Sequence, residues 1–173
     1  MSIKLICAVD SNWSIGYKNE LLFNISADLQ RFKSLTENQF CIFGRNTYES
    51  ILNYNNGKPL SNRVNVVLTR NRKYEVSLGV YKSDSVEHIL NHYNSGKQHK
   101  DIMACGGADV YNQFLPHADE VLITYIDEEA PKADTYFNRE VLEKDFYIAV
   151  SEKNYCEKND LDFYYVTYKR KLD

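Results

Sequence analysis

Proline and glycine are scarce in this chain, three and seven among 173 residues. That excludes a collagen-like repeat or an extended, Pro-rich architecture. An excess of one charge is also lacking. The formal net charge is -3, which argues against a nucleic-acid binder or a polybasic membrane binder, although local basic patches stay open. No run approaches the roughly 18 apolar residues of a spanning helix. The opening MSIKLICAVD has an apolar stretch too short for a signal-peptide core. Cysteine is sparse: Cys7, Cys41, Cys105 and Cys156 are widely separated, form no C-x-x-C pair, and no His approaches them at zinc-ligand spacing. Three of them sit in short apolar runs (LICAV, FCIF, IMACGG), where a thiol behaves as a small hydrophobe. The expectation is four reduced cysteines, no metal, and a soluble chain in the cytoplasm.

Hydrophobic residues make up 43% and charged residues 26%, values typical of a globular chain and not of a disordered one. The length suits one domain, residues 1–173, which needs no disulfide or metal staple. Short apolar runs alternate with amphipathic stretches. Ile3–Val9 reads as a buried strand, bounded by Asp10-Ser11-Asn12. Ser26–Glu37 reads as a helix, with Ile25, Leu29, Phe32 and Leu35 at helical spacing and Ser26 as its N-cap. Phe40–Phe43 is a strand that turns through Gly44-Arg45-Asn46 into a helix ending near Leu52. A loop from Asn53 to Asn62 leads to strand Val64–Thr69. Then come strand Gly79–Lys82, helix Ser85–Tyr93, strand Asp101–Cys105, helix Ala108–Leu115 stopped by Pro116, and strand Glu120–Ile126. Asp145–Lys153 and Asp162–Arg170, with polar Glu157–Asp160 between them, read as a terminal antiparallel hairpin. Its aromatic residues read as sheet packing, and Lys169-Arg170-Lys171 as a solvated strand end. The strand–helix–strand units before it imply parallel neighbours. The expected fold is α/β: a single-domain, mixed, mostly parallel central sheet flanked by helices, with a C-terminal antiparallel hairpin.

Three features carry chemistry. Asp28 falls between Ile25, Phe32 and Leu35 on the apolar stripe of its helix, away from Gln30 and Ser34. A carboxylate there is partly desolvated, which raises its pKa, while the helix N-terminus lowers it. Such a group suits a cationic or amidine-like ligand, or assistance to a protonation. Acids are also common in a first helical turn because they suit the dipole, and spacing alone slightly favours that ordinary reading. Gly106-Gly107, between a strand and a helix, lets backbone N–H groups approach a phosphate, but a tight turn with no ligand fits equally well. Arg45 and Arg70 follow two strands at their carboxyl ends, where ligands of open α/β sheets bind. Two such arginines suit an anionic ligand; either one alone is a solvated loop charge.

Taken in order, these segments resemble the dihydrofolate reductase family over almost the whole chain. Ile6-Cys7-Ala8-Val9-Asp10, Ile15-Gly16 and Asn19-Glu20-Leu21 look like its first strand and mobile active-site loop. Asp28-Leu29-Gln30-Arg31-Phe32-Lys33 with Thr36 matches D-L-x-x-F-K…T. Gly44-Arg45-Asn46-Thr47-Tyr48-Glu49-Ser50-Ile51 matches G-R-x-T-x-E-S-I, and Arg63 through Arg70 looks like R-x-N-x-V-L-T-R. Gly106-Gly107-Ala108-Asp109-Val110-Tyr111 and Phe114-Leu115-Pro116 follow G-G-x-x-x-Y…F-L-P. The joint order and spacing are highly specific.

The resemblance implies reduction of 7,8-dihydrofolate to tetrahydrofolate by NADPH. Asp28 would bind the amidine-like edge of the pterin and favour protonation at N5, with Thr124 hydrogen-bonding that carboxylate. Phe32 would pack on the pterin, Ile6, Leu21, Phe23 and Ile51 would complete the apolar walls, and Arg63 would pair with the glutamate carboxylate of folate. On the cofactor side, Gly106 and Gly107, with Ala108, would meet the pyrophosphate. Gly44, Arg45, Asn46, Thr47, Thr69 and Arg70 would line the phosphate subsites, with Arg45 and Arg70 favouring NADPH over NADH. Ala8, Ile15 and Gly16 would contact the nicotinamide region, with Tyr111 nearby. A monomer without nucleic-acid, membrane or fused thymidylate synthase partners is expected.

One departure stands out. Leu21-Leu22-Phe23 occupies the place of the family's Leu-Pro-Trp. Phe23 lacks the indole donor and Leu22 lacks proline's fixed φ, so an altered rate or pH response is expected; Trp13 does not obviously compensate. Two other readings stay open. The pyrimidine reductase of riboflavin synthesis reads similarly around the G-R and G-G segments, but would not be expected to combine Asp28, Phe32 and Arg63. A folate- or NADPH-binding structural protein with decayed catalysis has only Leu22-Phe23 in its favour, and Asp28 against it.

Overall fold

A computed structural model describes residues 2–96 and 99–172. In chain order the elements are β1 (Ile3–Val9), β2 (Ser14–Gly16), α1 (Ser26–Thr36), β3 (Phe40–Gly44), α2 (Arg45–Tyr54), β4 (Val64–Leu68), β5 (Tyr81–Ser83) and α3 (Val86–Ser95). There follow β6 (Ile102–Ala104), α4 (Ala108–Phe114), a 3-10 turn at Leu115–His117, β7 (Glu120–Ile126), β8 (Thr135–Tyr136), α5 (Arg139–Asp145), β9 (Phe146–Cys156) and β10 (Leu161–Arg170). Eight strands form one sheet in the order β5-β4-β3-β6-β1-β7-β10-β9. The first six run parallel, and β10 and β9 close the sheet as an antiparallel hairpin. This is the mixed, mostly parallel α/β sheet expected from the alternation of strands and helices.

Apart from the exposed edge strand β5, the parallel strands are largely buried on both faces, as helix-covered sheets require. Alternate residues of β1 therefore enter different clusters: Leu5, Cys7 and Val9 pack with Ile42, Phe114 and Ile123, whereas Ile6 packs with Phe43, Tyr48 and Leu122. The strand order reverses around β1, because β6 inserts between β3 and β1 while β7 pairs on β1's other side. That switch places the carboxyl ends of β1, β3, β6 and β7 around one crevice, the usual ligand position in such sheets.

Several local readings need correction. Ile25, not Ser26, is the N-cap of α1, and no side chain caps it. Ile25 is buried as an anchor, and its carbonyl accepts the first helical bond from Leu29 N at 3.1 Å. Leu35 lies 37% exposed, whereas Thr36 is the residue of α1 that is buried. Ser85 does cap α3, accepting from His88 N at 3.1 Å. The hairpin's outer strand is wetter than its composition suggests: Tyr147 and Tyr155 are about half exposed, so these aromatics do not pack the sheet. The basic end is not simply solvated. Arg170 donates to the carbonyls of Ala118 and Leu115, both at 2.7 Å, and lies 4.5 Å from the centre of the Phe146 ring. Lys171 Nζ donates to Glu143 O and Lys144 O. These contacts satisfy carbonyls left open at helix ends.

Asp10 organises the ground beside the crevice. It is fully buried, and its carboxyl accepts from Asn12 N at 3.0 Å, Ser14 N at 2.8 Å and Ala130 N at 3.0 Å. It thereby ties the end of β1 to the short β2–β8 ribbon through backbone groups that have no other way to be satisfied in a dry site. Asp10→Ala should cost on the order of 3 kcal/mol, because it strands buried N–H donors. Urea unfolding measures this, and a loss under 1 kcal/mol would show that the three bonds do not act as a structural unit.

Candidate active site

At the crevice, α1 brings Asp28 against β7. Asp28 is half-buried, and Thr124 Oγ1 donates to its Oδ1 at 2.5 Å. Thr124 is itself fixed, being buried and paired in register with Ala8 of β1. Among the described residues no donor reaches Asp28 Oδ2, so one carboxylate oxygen is held by the sheet and the other is left for a ligand. Burial pushes the Asp28 carboxyl above its ordinary value, while the Thr124 hydrogen bond and the Arg31 guanidinium pull it down less strongly. The partly desolvated carboxylate expected from the helical stripe is therefore present.

The apolar walls gather as expected. Phe32 and Ile51 are half-buried against the cluster that contains Ile6. Phe23 packs on the Ile25, Ile126 and Phe163 group. Leu21 is the exception, 65% exposed. The chain reverses at Lys18 and Asn19, both at positive φ, and lifts Leu21 toward solvent. Leu21 still borders a narrow gap of about 10 Å³, shared with Ala8, Ile15, Leu22, Phe23 and Ile126, a space for roughly one water. Gly16 follows Ile15 at the end of β2, its carbonyl accepting from Asp134 N at 3.0 Å. Arg63 is locked rather than loose. Its guanidinium donates to Ser61 O at 2.6 Å, Lys33 O at 3.0 Å and Thr36 Oγ1 at 3.2 Å, which presets its orientation at the carboxyl end of α1.

The glycines form a cradle. Gly44 N donates to Gly106 O at 2.8 Å, and a Cβ on Gly44 would come within 3.8 Å of Gly107 N. Gly106 has φ +112, and a Cβ there would lie 3.0 Å from the Tyr111 hydroxyl, so only glycine fits. That hydroxyl donates to Ile6 O at 2.7 Å, binding α4 to β1 beneath the turn. A Cβ on Gly107 would meet Thr47 Oγ1 at 3.4 Å, which puts the hydroxyl beside the turn's backbone. Asn46 and Ala108 occupy the first turns of α2 and α4. Because α4 has only seven residues, the turn offers backbone N–H groups rather than the field of a long helix. Burial pushes the Cys7 thiol up to about 12 and raises Tyr111 well above its ordinary range. Both stay protonated at neutral pH and act as packing and anchoring groups.

The two arginines follow neighbouring strands, since Gly44 of β3 pairs with Leu68 of β4. Arg45 is exposed, lying 3.9 Å from Glu49 and 6.0 Å from the centre of the Tyr74 ring. Thr69 and Arg70 line a cavity of about 280 Å³ with Leu68, Asp84, Asp109 and Gln113. A backbone cradle with an adjoining hydroxyl, flanking arginines and an open cavity beyond fits an elongated anionic cofactor. Sequence reasoning missed Asp10, which read only as a polar boundary, and Ser50, whose hydroxyl donates to Asn19 O and ties the loop to α2. It also missed Arg31, whose guanidinium lies 4.2 Å from the centre of the Tyr165 ring. For Ser50 no local pattern carried the information; for Arg31 the hint was a charge three residues after Asp28 on one helix.

The raised Asp28 carboxyl has a sign that can be checked. The native state binds its proton more tightly than the unfolded chain does. Stability therefore falls as pH rises from about 3.9, the unfolded value, through the raised native one, and the penalty is complete above it. Asp28→Asn should accordingly gain melting temperature relative to the parent as pH rises from 4 to 7. A difference that does not change with pH would contradict the desolvated setting. Thr124→Val should push the Asp28 titration, followed by carboxyl carbon NMR, still higher.

A profile described as dihydrofolate reductase matches residues 2–170. The chain is 34% identical to the dihydrofolate reductase of Bacillus subtilis, over 98% of this chain and 95% of that one. It is 37% identical to that of Buchnera aphidicola from Acyrthosiphon pisum, over 79% of each. It is also 34% identical to a bifunctional dihydrofolate reductase-thymidylate synthase of Paramecium tetraurelia, over 81% of this chain but only 29% of that longer protein. Among solved structures, dihydrofolate reductase from Enterococcus faecalis complexed with NADP(H) and RAB-propyl superposes with a TM-score of 0.87 at 28% identity, covering 99% of this chain and 97% of that one. The chain belongs to the dihydrofolate reductase family.

Proposed function

We propose that this protein reduces 7,8-dihydrofolate to 5,6,7,8-tetrahydrofolate with NADPH, and that Asp28 anchors the pterin. The observation that carries this reading is the divided carboxylate: Oδ1 held by Thr124 and Oδ2 without a protein donor, at the mouth of an apolar cleft. An amidine-like edge presents two parallel N–H donors, which a carboxylate can accept together. In a half-dry site its negative charge stabilises a pterin protonated at N5, the form that accepts hydride. When bound, the reduced nicotinamide supplies that hydride. The chain's own contribution is placement and exclusion of water. Phe32, Ile51 and Ile6 wall the pterin, Ala8, Ile15 and Gly16 back the nicotinamide, and Leu21 and Phe23 cover the junction. Arg63 takes the glutamate carboxylate of the substrate.

For the cofactor, Gly44, Gly106, Gly107 and Ala108 hold the pyrophosphate with Asn46 and Thr47. Thr69 and Arg70 line the 280 Å³ cavity, and Arg45 directly follows the neighbouring strand β3; these three take the phosphate groups beyond that turn. The enzyme works as one domain and a monomer in the cytoplasm, without nucleic acid or membrane. Supporting that part are the near-balanced charge and a chain in which no described helix is long and apolar enough to cross a membrane.

Mixing purified protein with NADPH and dihydrofolate should oxidise the nicotinamide, followed by loss of its absorbance. Asp28→Asn should lower turnover at neutral pH by at least about 100-fold while leaving NADPH affinity in place. A variant that keeps more than a tenth of the parent rate would overturn the anchoring role. Phe23→Trp restores a donor beside the cleft and should change the pH profile of turnover; an unchanged profile would show that the missing indole is immaterial.

A further inference from the structure

The far end of the cofactor path carries an unusual charge balance. The order β4-β3-β6 sets the end of β4 two strands, roughly 10 Å, from the Gly106-Gly107 turn. With a pyrophosphate at that turn, the adenosine half of a dinucleotide reaches the cavity lined by Thr69, Arg70, Asp84, Asp109 and Gln113. Arg70 lies on this wall and, among the described residues, makes no ion pair. The other nearby cations are engaged. Lys82 Nζ donates to Arg72 O and Tyr74 O, both at 2.8 Å. Arg72 lies 3.9 Å from Asp84, and Arg45 lies the same distance from Glu49.

Two carboxylates line the same cavity as Arg70, one of them, Asp84, also facing the exposed Arg72 at 3.9 Å. Asp109 accepts from Gln113 Nε2 at 3.1 Å, and Asp84 lies 2.9 Å from His88 Nδ1. Each keeps acceptor capacity beyond these contacts, since a carboxylate accepts about four hydrogen bonds. A ribose hydroxyl offers a donor to such a group, whereas a phosphomonoester on the same ribose brings like charge against it. Acids that accept from the 2′-hydroxyl are the usual mark of sites for the unphosphorylated dinucleotide, and arginine is the mark of sites for the phosphorylated one. This cavity has both.

We propose that Asp84 and Asp109 are specificity-determining residues that offset Arg70, so that the site takes the nicotinamide dinucleotide without its 2′-phosphate as well as with it. The inference rests on the reductase reading above. Asp84 also lies just ahead of α3, where a carboxylate suits the helix's positive end, but that role is indifferent to the 2′-phosphate. The two dinucleotides together separate these roles.

Isothermal titration of the ligand-free protein with NADPH and with NADH gives the ratio of affinities, and steady-state KM values for both give a second readout. The parent should favour NADPH by about 10-fold or less. Asp84→Asn and Asp109→Asn should each tighten NADPH by about 3- to 5-fold, the scale of one exposed charge, with NADH unchanged or weaker. The double variant should combine the two effects. Arg70→Gln should weaken NADPH alone and leave NADH the equal or better ligand. If NADPH binds tightly and the ratio moves less than 2-fold in both Asn variants, the proposal fails while the reductase reading stands. If neither dinucleotide binds the parent, both fail. Melting temperatures identify a misfolded variant; if one Asn variant misfolds, the other, which lies on a different element, decides by the same 2-fold criterion.

Discussion

The hydrogen bond between Thr124 and Asp28 joins residues 96 positions apart, and the catalytic reading depends on it. Without it, α1 would present a loose carboxylate to the cleft, free to rotate and draw in water. With it, the carboxylate plane is referred to β7, and through the Thr124–Ala8 pairing to β1. The strand proposed to back the nicotinamide and the side chain proposed to meet the pterin are then parts of one rigid frame. Hydride transfer requires two rings at a set distance, and a frame of buried parallel strands sets it better than loops can.

That frame carries an opposing cost. A carboxyl raised by burial is less comfortable ionised in the native protein than in water, so the proposed substrate anchor weakens the fold around neutral pH. Other contacts offset this. Asp10 gathers three backbone donors in a dry site, and Tyr111 reaches from α4 to Ile6 O. Both brace the same end of β1. Desolvation at Asp28 is thus flanked by satisfied polar groups at Asp10 and Tyr111, an arrangement that lets an active site stay unfavourable locally without loosening globally.

The parallel core was legible because its signals are local and repeated. LICAV, FCIF and VNVVL are short apolar runs bounded by turn residues, and burial on both faces leaves no other pattern to confuse them. Asp28 was legible because its position on an apolar stripe contradicts its chemistry. What escaped depends on partners far along the chain. β2 and β8 are three and two residues long, too short for any period to show, and they exist because Asp10 and the Phe137 N to Trp13 O bond bring them together. α5 has no counterpart in the sequence reading, whose strand begins at Asp145: Val141 and Leu142 pack the core, but seven residues are too few for helical spacing to stand out. Leu35 was misplaced because a stripe wider than the contact it makes must end somewhere, and α1 turns that edge to solvent.

Along the carboxyl edge of the sheet, three kinds of physics follow one another. Near β7 and β1 a half-dry carboxylate and apolar walls form the place proposed for the reacting ring, where low polarity magnifies each charge. At β6 and β3 the proposed contact is backbone, and its precision rests on Gly106, whose φ of +112 and 3.0 Å approach to the Tyr111 hydroxyl exclude a larger residue. Beyond β4 lies an open, charged cavity where water screens every interaction and single charges count for little. Affinity gathered in that outer region is uniform between ground and transition states, so it governs how often and with which cofactor the site is filled. The inner region governs what happens once it is. Charge balance can therefore vary around Arg70, Asp84 and Asp109 without disturbing Asp28, whereas a shift of the Thr124 hydroxyl reaches the reacting atoms directly.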